Sequence, residues 1–232
     1  IVTNNLERHR AGPDKPGQSA YRFDDDYAEV RRRLVAAPAA YRILSIHYGE
    51  EGRVRADAKQ FADFRGLAAQ KDGIDLIIGH HAHVVRGVEI AGKSLIFYGL
   101  GNFLDQGTAD ITGKGICRDY GLMARIHLKK AADGTLKLRA VEAIPVTDTH
   151  FRPRPLTGKA GAARIHALNY LSSDLGGERG VAFTPQPNGT GLYCVAGADK
   201  DGGKIGALCK GYSPAPPIPG EFIGSIANSC AR

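Results

Sequence analysis

The stretch IDLIIGHHAH, residues 74–83, decides how this chain folds. A short, mostly apolar run that ends in glycine predicts a strand buried on both faces, as in a parallel sheet. Ligands of open α/β sheets bind in the crevice at the C-terminal ends of such strands. His80, His81 and His83 are therefore expected to emerge where the fold would build a binding site.

The spacing of His81 and His83 indicates a metal site. Side chains at i and i+2 on an extended segment point to the same side. Neutral imidazole is the commonest protein ligand of divalent transition metals. The alternative is a solvated, histidine-rich turn with no ligand.

A second strand of the same design precedes this one. Residues 42–46, RILSI, are followed by His47, and residues 56–71 carry apolar side chains at helical spacing. The unit predicts a β-α-β crossover, which makes the two strands parallel. His47 is then expected at the same sheet edge as His81 and His83.

Three segments carry a family resemblance: SIHYGEE at 45–51, IIGHHAHVVRGVE at 77–89 and IFYGLGNF at 96–103. Together they resemble the bacterial capsule-synthesis proteins (CapA-type, poly-γ-glutamate) of the calcineurin-like metallophosphoesterase superfamily, over about residues 40–155. The resemblance implies an α/β fold, a two-layer β-sandwich flanked by helices. It also implies a dinuclear metal site that activates water for phosphoester hydrolysis.

The resemblance also implies which residues of this chain would be metal ligands. His47 matches the superfamily's isolated histidine ligand, and His81 and His83 match the two histidines of its Gly-His-x-His segment. His80 stands where related enzymes have a second glycine, so it is expected outside the ligand set. The implied cofactors are divalent ions, Mn, Zn or Fe, one or two in number.

Three further residues are candidate catalytic groups. Glu50 or Glu51, just past His47, would orient water or a ligand histidine. The alternative for both is an ordinary pair of exposed acids in a loop. Asn102 follows a predicted strand and two glycines, so its amide would face the metal or a substrate oxygen, unless it is a simple turn residue.

The chain also departs from the family pattern. Superfamily sites use an Asp-x-His, a bridging aspartate and a Gly-Asn-His segment before the isolated histidine, and none of these stands in residues 1–46. His9 is expected to be an exposed residue. The acidic run 24–26 is expected to start a helix. We expect the N-terminal part of the fold to be missing because the chain is a fragment rather than a reduced homologue. The missing half would then belong to a longer protein or to another chain, and the site here would hold one ion at best.

The composition indicates which classes of binding partner to expect. Lys and Arg outnumber Asp and Glu by 31 to 24, a net charge of +7, which steers polyanions toward the protein. An anionic polymer or a phosphorylated small substrate is expected. Nucleic acid is not, because the basic clusters lack interleaved aromatic residues and no nucleic-acid fold signature occurs. No apolar run approaches the roughly 20 residues of a membrane span.

The cysteines favour an extracytoplasmic location, periplasmic or cell-surface, although a cytoplasmic one stays open. Cys117, Cys194, Cys209 and Cys230 form no Cys-x-x-Cys pair, which argues against a zinc ribbon. Cys194 and Cys209 bracket a Gly- and Lys-rich loop at 196–207, predicted as a hairpin or stapled Ω-loop. A bridge there leaves Cys117 with Cys230, and free buried thiols are the alternative.

The remaining sequence completes a second sheet and an appendage. Residues 120–129 and 136–146 alternate about an Asp-Gly turn, which predicts a hairpin, and Asp148 and His150 are expected to approach the site. We divide the chain into 1–155, a metallophosphoesterase-like portion, and 156–232, a helix followed by an irregular Gly/Pro-rich tail. The predicted function is metal-dependent phosphoester hydrolysis. The alternatives are a non-catalytic factor that binds or assembles an anionic polymer, and an amidase for γ-glutamyl bonds.

Overall fold

A computed structural model describes residues 2–3, 10–21, 24–36, 38–69, 73–176 and 180–231. Within them the chain forms two sheets and five helices. The helices are α1 (Asp24–Ala36), α2 (Ala58–Ala68), α3 (Gly158–Ser173), α4 (Gly203–Cys209) and α5 (Gly220–Cys230). The strands are β1 (Val2–Thr3), β2 (Ser19–Ala20), β3 (Ile43–His47), β4 (Leu76–His80), β5 (Val88–Ala91), β6 (Ser94–Phe97), β7 (Gly121–Lys130), β8 (Leu136–Thr147), β9 (Arg154–Pro155), β10 (Thr184–Pro185) and β11 (Gly191–Cys194).

The first sheet contains the predicted crossover. Its strand order is β2-β1-β3-β4-β6-β5, parallel except for the last pair. Strands β3 and β4 are parallel neighbours with His47 opposite His80, as the sequence predicted. Helix α2 joins them and begins after Asp57, whose side chain accepts a hydrogen bond from the Gln60 backbone N–H.

The second sheet is antiparallel, with the order β10-β11-β8-β7, and β9 pairs with β8. The predicted hairpin is confirmed as β7 and β8. Asp133 stabilises its turn by accepting from the Thr135 N–H, and Gly134 has a φ of 81°, which glycine adopts without strain. A bulge between His127 and Leu128 shifts the register once.

Apolar side chains cover both faces of the first sheet, as the run at 74–78 predicted. Ile77 and Ile96 pack toward Phe64 and Leu67 of α2. On the other face, a cluster joins the first sheet, the second sheet and α3; it contains Leu76, Leu95, Phe97, Val141 and Ile165. The fold is therefore α/β, two sheets flanked by helices, and is consistent with a metallophosphoesterase-like architecture.

The C-terminal segment is more regular than predicted. Helix α3 is present, but the tail also contributes β10 and β11 to the second sheet and forms α4 and α5. The loop at 196–207 is not a hairpin, since it holds a 3-10 turn (Ala198–Lys200) and the start of α4. Gly and Pro favour loops locally, and two disulfides, Cys194–Cys209 and Cys117–Cys230, hold the short elements in place. No helix in the described part of the chain is long and apolar enough to cross a membrane.

Candidate functional site

The structure brings the three predicted metal ligands together. His47 ends β3, and the loop after β4 carries His81 and His83. The ring centroids of His47 and His81 lie 4.6 Å apart, and those of His81 and His83 lie 6.3 Å apart. All three side chains are only partly buried, so a ligand at this edge can reach them.

The backbone beneath the histidines is tightly constrained. A Cβ at Gly79 would lie 2.4 Å from the Tyr98 carbonyl oxygen of the neighbouring strand segment, so only glycine fits there. His81 and His83 have φ angles of 83° and 57°, in the left-handed region that non-glycine residues rarely adopt. Such conformations persist where the surroundings hold them, and they concentrate at functional sites.

Burial favours the uncharged form of two of these imidazoles, His47 and His81. The pKa of His47 falls to about 4, first because of burial and then because His81 lies beside it. Burial also lowers the pKa of His81, with Glu51 opposing the change and His83 and Arg86 adding to it. Neutral imidazole is the form that binds a metal ion, because the ring nitrogen then offers a lone pair.

His80 faces a different partner. Its Nε2 lies 3.0 Å from the Ser45 hydroxyl on the adjacent strand, and burial lowers its pKa. Its hydrogen bond therefore ties β4 to β3 at the point where both strands end.

Asn102 contacts the site through His83. Its Oδ1 lies 2.7 Å from His83 Nδ1, and the residue is only 7% exposed. The Asp105 carboxylate lies on the same nitrogen at 3.3 Å. Sequence reasoning missed Asp105; the signal was a carboxylate three residues after Asn102 on the loop that leaves the sheet edge.

The two candidate acids after His47 differ. Glu50 forms an exposed ion pair with Arg53 at 2.9 Å. Glu51 is close enough to His81 to favour the charged form of its ring. Of the two, Glu51 is the acid that acts on the histidines.

A buried arginine, also missed, fixes the loop that carries both acids. Arg86 is fully buried, and its guanidinium donates to the Glu50 carbonyl at 2.5 Å, the Arg53 carbonyl at 2.8 Å and Gln60 Oε1 at 2.6 Å. Burial lowers its pKa to about 10. Gly49, with a φ of 107°, leaves space for this guanidinium, since a Cβ there would lie 2.4 Å from Arg86 Nη1. The hydrogen bond from Arg86 to Glu50 thus joins residues more than thirty positions apart in the sequence.

Other candidates lie as follows. His150 reaches the site indirectly, with Nδ1 3.2 Å from the Asp105 carbonyl oxygen, whereas Asp148 pairs with Arg154. The acidic run 24–26 starts α1, as predicted, and Asp26 pairs with Arg10. His9 lies outside the described residues.

The donors match a metal ion in kind but not in number. Neutral imidazoles suit Zn, Mn or Fe. Among the residues that the structure describes, however, no group of three or more His, Cys, Asp or Glu side chains is arranged to hold a metal ion. The three histidines therefore do not form a complete metal site within the described part of the chain, and a metal ion there would need further donors.

Known proteins are similar in sequence to this region. A profile of the family described as "Bacterial capsule synthesis protein PGA_cap" matches residues 3–107. The capsule biosynthesis protein CapA of Bacillus anthracis is 29% identical over 53% of this chain and 27% of its own length. The PGA biosynthesis protein CapA of Bacillus subtilis (strain 168) is 32% identical over 50% of this chain and 29% of its own length.

The matched part spans less than a third of either relative. It nevertheless contains both histidine strands, Asn102 and Asp105, and it agrees with the resemblance in the three segments at 45–51, 77–89 and 96–103. Over residues 3–107, this chain is therefore similar to the bacterial capsule synthesis family and to two CapA proteins.

Proposed function

We propose that this chain carries the histidine side of a metal-dependent hydrolase that acts in capsule-polymer biosynthesis. The observation that supports the proposal most is the gathering of His47, His81 and His83 at one edge of a parallel sheet. The lowered pKa values of His47 and His81 suit metal binding, because they favour the neutral imidazole. The match of residues 3–107 to the capsule synthesis family supports the biological setting.

Each side chain then has a distinct task. His47, His81 and His83 would hold a divalent ion, Mn, Zn or Fe, and Asn102 steadies His83. Glu51 lies near His81 and would orient water. When bound, the ion would lower the pKa of a water ligand and polarise the phosphoryl oxygen under attack. The remaining donors would come from outside the described residues.

Charge and cysteine pairing support the proposed substrate and place of action. A net charge of +7 favours an anionic polymer or a phosphorylated small substrate. All four cysteines are paired in disulfides. Because disulfides persist in oxidising compartments, we propose a periplasmic or cell-surface location.

Metal analysis and a phosphodiester assay test the proposal. The purified protein is loaded with Zn²⁺ or Mn²⁺, its metal content is measured, and hydrolysis of bis(p-nitrophenyl) phosphate is followed. We expect His81→Ala to lose metal and at least about 100-fold in turnover, because removing a ligand should cost more than removing a residue that supports one. His127→Ala is the matched control, since His127 lies on the second sheet against Glu142. Equal metal content in both variants would refute the proposal.

A second candidate function is non-catalytic binding or assembly of an anionic polymer. The absence of a complete metal cluster among the described residues favours it. Binding to poly-γ-glutamate that is unchanged by EDTA and by His81→Ala, with no turnover in any metal, would select this alternative. Metal-dependent cleavage of poly-γ-glutamate would instead assign the same centre to γ-glutamyl amide hydrolysis.

A further inference from the structure

The loop after β6 places Asp105 at the centre of a hydrogen-bond network. Its backbone N–H donates to the Thr149 carbonyl at 2.9 Å, and its carbonyl accepts from His150 Nδ1 at 3.2 Å. Its Oδ1 accepts from the Gly107 N–H at 3.2 Å, and its Oδ2 lies 3.3 Å from His83 Nδ1. The backbone hydrogen bonds therefore place the Asp105 carboxylate beside the His83 ring.

The directions of these hydrogen bonds are fixed. The Thr108 hydroxyl donates to the Asp105 carbonyl at 3.4 Å, so its oxygen is free to accept from Asn102 Nδ2 at 3.2 Å. The Asn102 amide then presents Oδ1, an acceptor, to His83 Nδ1. A carboxylate also only accepts. Both neighbours of Nδ1 are acceptors, so that nitrogen carries the proton.

We propose that Asp105 is a positioning residue that, with Asn102, holds His83 as its Nδ1–H tautomer and leaves Nε2 as the ring's only lone pair. The same residue orients His150, whose Nδ1 donates to the Asp105 carbonyl. The use of the Nε2 lone pair for metal binding rests on the proposed function. The tautomer assignment itself does not.

The backbone of His83 explains why such support is needed. At a φ of 57° the residue stands in a conformation that costs free energy, and its ring is partly exposed. The hydrogen bond to Asn102 Oδ1 and the Asp105 carboxylate beside the same nitrogen restrain the ring in spite of that exposure. A carboxylate or carbonyl on the far nitrogen of a ligand histidine typically sets both its tautomer and its basicity.

Nitrogen-15 NMR of the metal-free protein tests the proposal. In the wild type we expect a protonated Nδ1 and an unprotonated Nε2 for His83, assigned by the signals that disappear in His83→Gln. Asp105→Asn should add a population with Nε2 protonated, and Asp105→Glu should restore the wild-type pattern. Asp133→Asn is the matched control, because Asp133 caps the distant hairpin turn. A wild-type tautomer in Asp105→Asn would overturn the proposal.

A binding measurement separates this inference from the function. If the wild type binds Zn²⁺, Asp105→Asn should weaken binding about 10- to 100-fold while Asp133→Asn leaves it unchanged. Equal affinity in the two variants would overturn the positioning role. If the wild type binds no metal, the proposed function fails and the NMR result alone decides the tautomer. Should Asp105→Asn lose the native circular dichroism spectrum, Asn102→Ala provides the same NMR test, because it removes the other acceptor from Nδ1.

Discussion

The two sheets of this molecule contribute differently to the candidate site. The parallel sheet is covered by apolar side chains on both faces, and its strand ends carry His47, His81 and His83. The antiparallel sheet shares one face with that core and displays ion pairs such as Arg125–Glu142 on its strands. Within the described residues, the C-terminal half contacts Asp105 through His150 and Thr149, and Arg118 donates to the Gly52 carbonyl next to Glu51. The candidate site therefore lies on the parallel sheet, and the second sheet packs against that sheet.

The two regions also gain stability in different ways. The first half depends on buried aliphatic and aromatic side chains, among them Phe64 and Ile77. The C-terminal tail is joined to the body by Cys117–Cys230 and closed on itself by Cys194–Cys209. Perturbing each region separately tests this division.

Removing the long-range disulfide should have the largest effect. The Cys117–Cys230 bridge closes 113 residues and Cys194–Cys209 closes 15. In the chain-entropy model these are worth about 4.7 and about 3 kcal/mol. We expect Cys117→Ser/Cys230→Ser to lower the free energy of unfolding more than Cys194→Ser/Cys209→Ser, as measured by urea denaturation. A larger loss from the short loop would show that local packing, not chain closure, holds the tail.

A glycine pair compares the regions directly. Gly79→Ala places a Cβ against the Tyr98 carbonyl and should cost about 1–3 kcal/mol by overpacking. Gly224, on α5, has no heavy atom within 4 Å of the added Cβ, so Gly224→Ala should stabilise by about 0.5–1 kcal/mol. Thermal unfolding measures both changes. If Gly79→Ala is neutral, the parallel sheet edge is less rigid than the packing indicates.

The last prediction concerns the loss of stability in acid. The pKa of His47 is about 4 in the folded chain and 6.5 for the free side chain, so the unfolded chain takes up a proton first as the pH falls. Stability should be full above pH about 6.5 and should decline as the pH approaches 4. Urea unfolding of the metal-free protein at several pH values measures the slope. His47→Gln should flatten the slope, and a slope equal to that of the wild type would contradict this prediction.

Local patterns predicted much of the fold. The apolar runs before His47 and Gly79 predicted the parallel pair, and the Asp-Gly turn predicted the hairpin. The disulfide pairing was among the alternatives and is present. These features depend on neighbours in sequence or on a small number of possible partners, so the sequence was enough.

Contacts between distant segments could not be predicted. Arg86 was unremarkable as a single arginine after a histidine motif, and its clamp on the Glu50 carbonyl depends on the tertiary fold. Asp105 likewise gains its role only when its loop folds back on His83. The helices and strands of the tail were not predicted for a similar reason. Gly and Pro locally favour loops, whereas disulfides and tertiary packing determine the structure that the tail adopts.

Gly49 and Arg86 share one space. Any side chain at position 49 would occupy the volume that the Arg86 guanidinium fills. The φ of 107° at Gly49 also disfavours any other residue there, whatever side chain stands at position 86. Shortening Arg86 would therefore remove one obstacle to a larger residue at position 49 and leave the other in place.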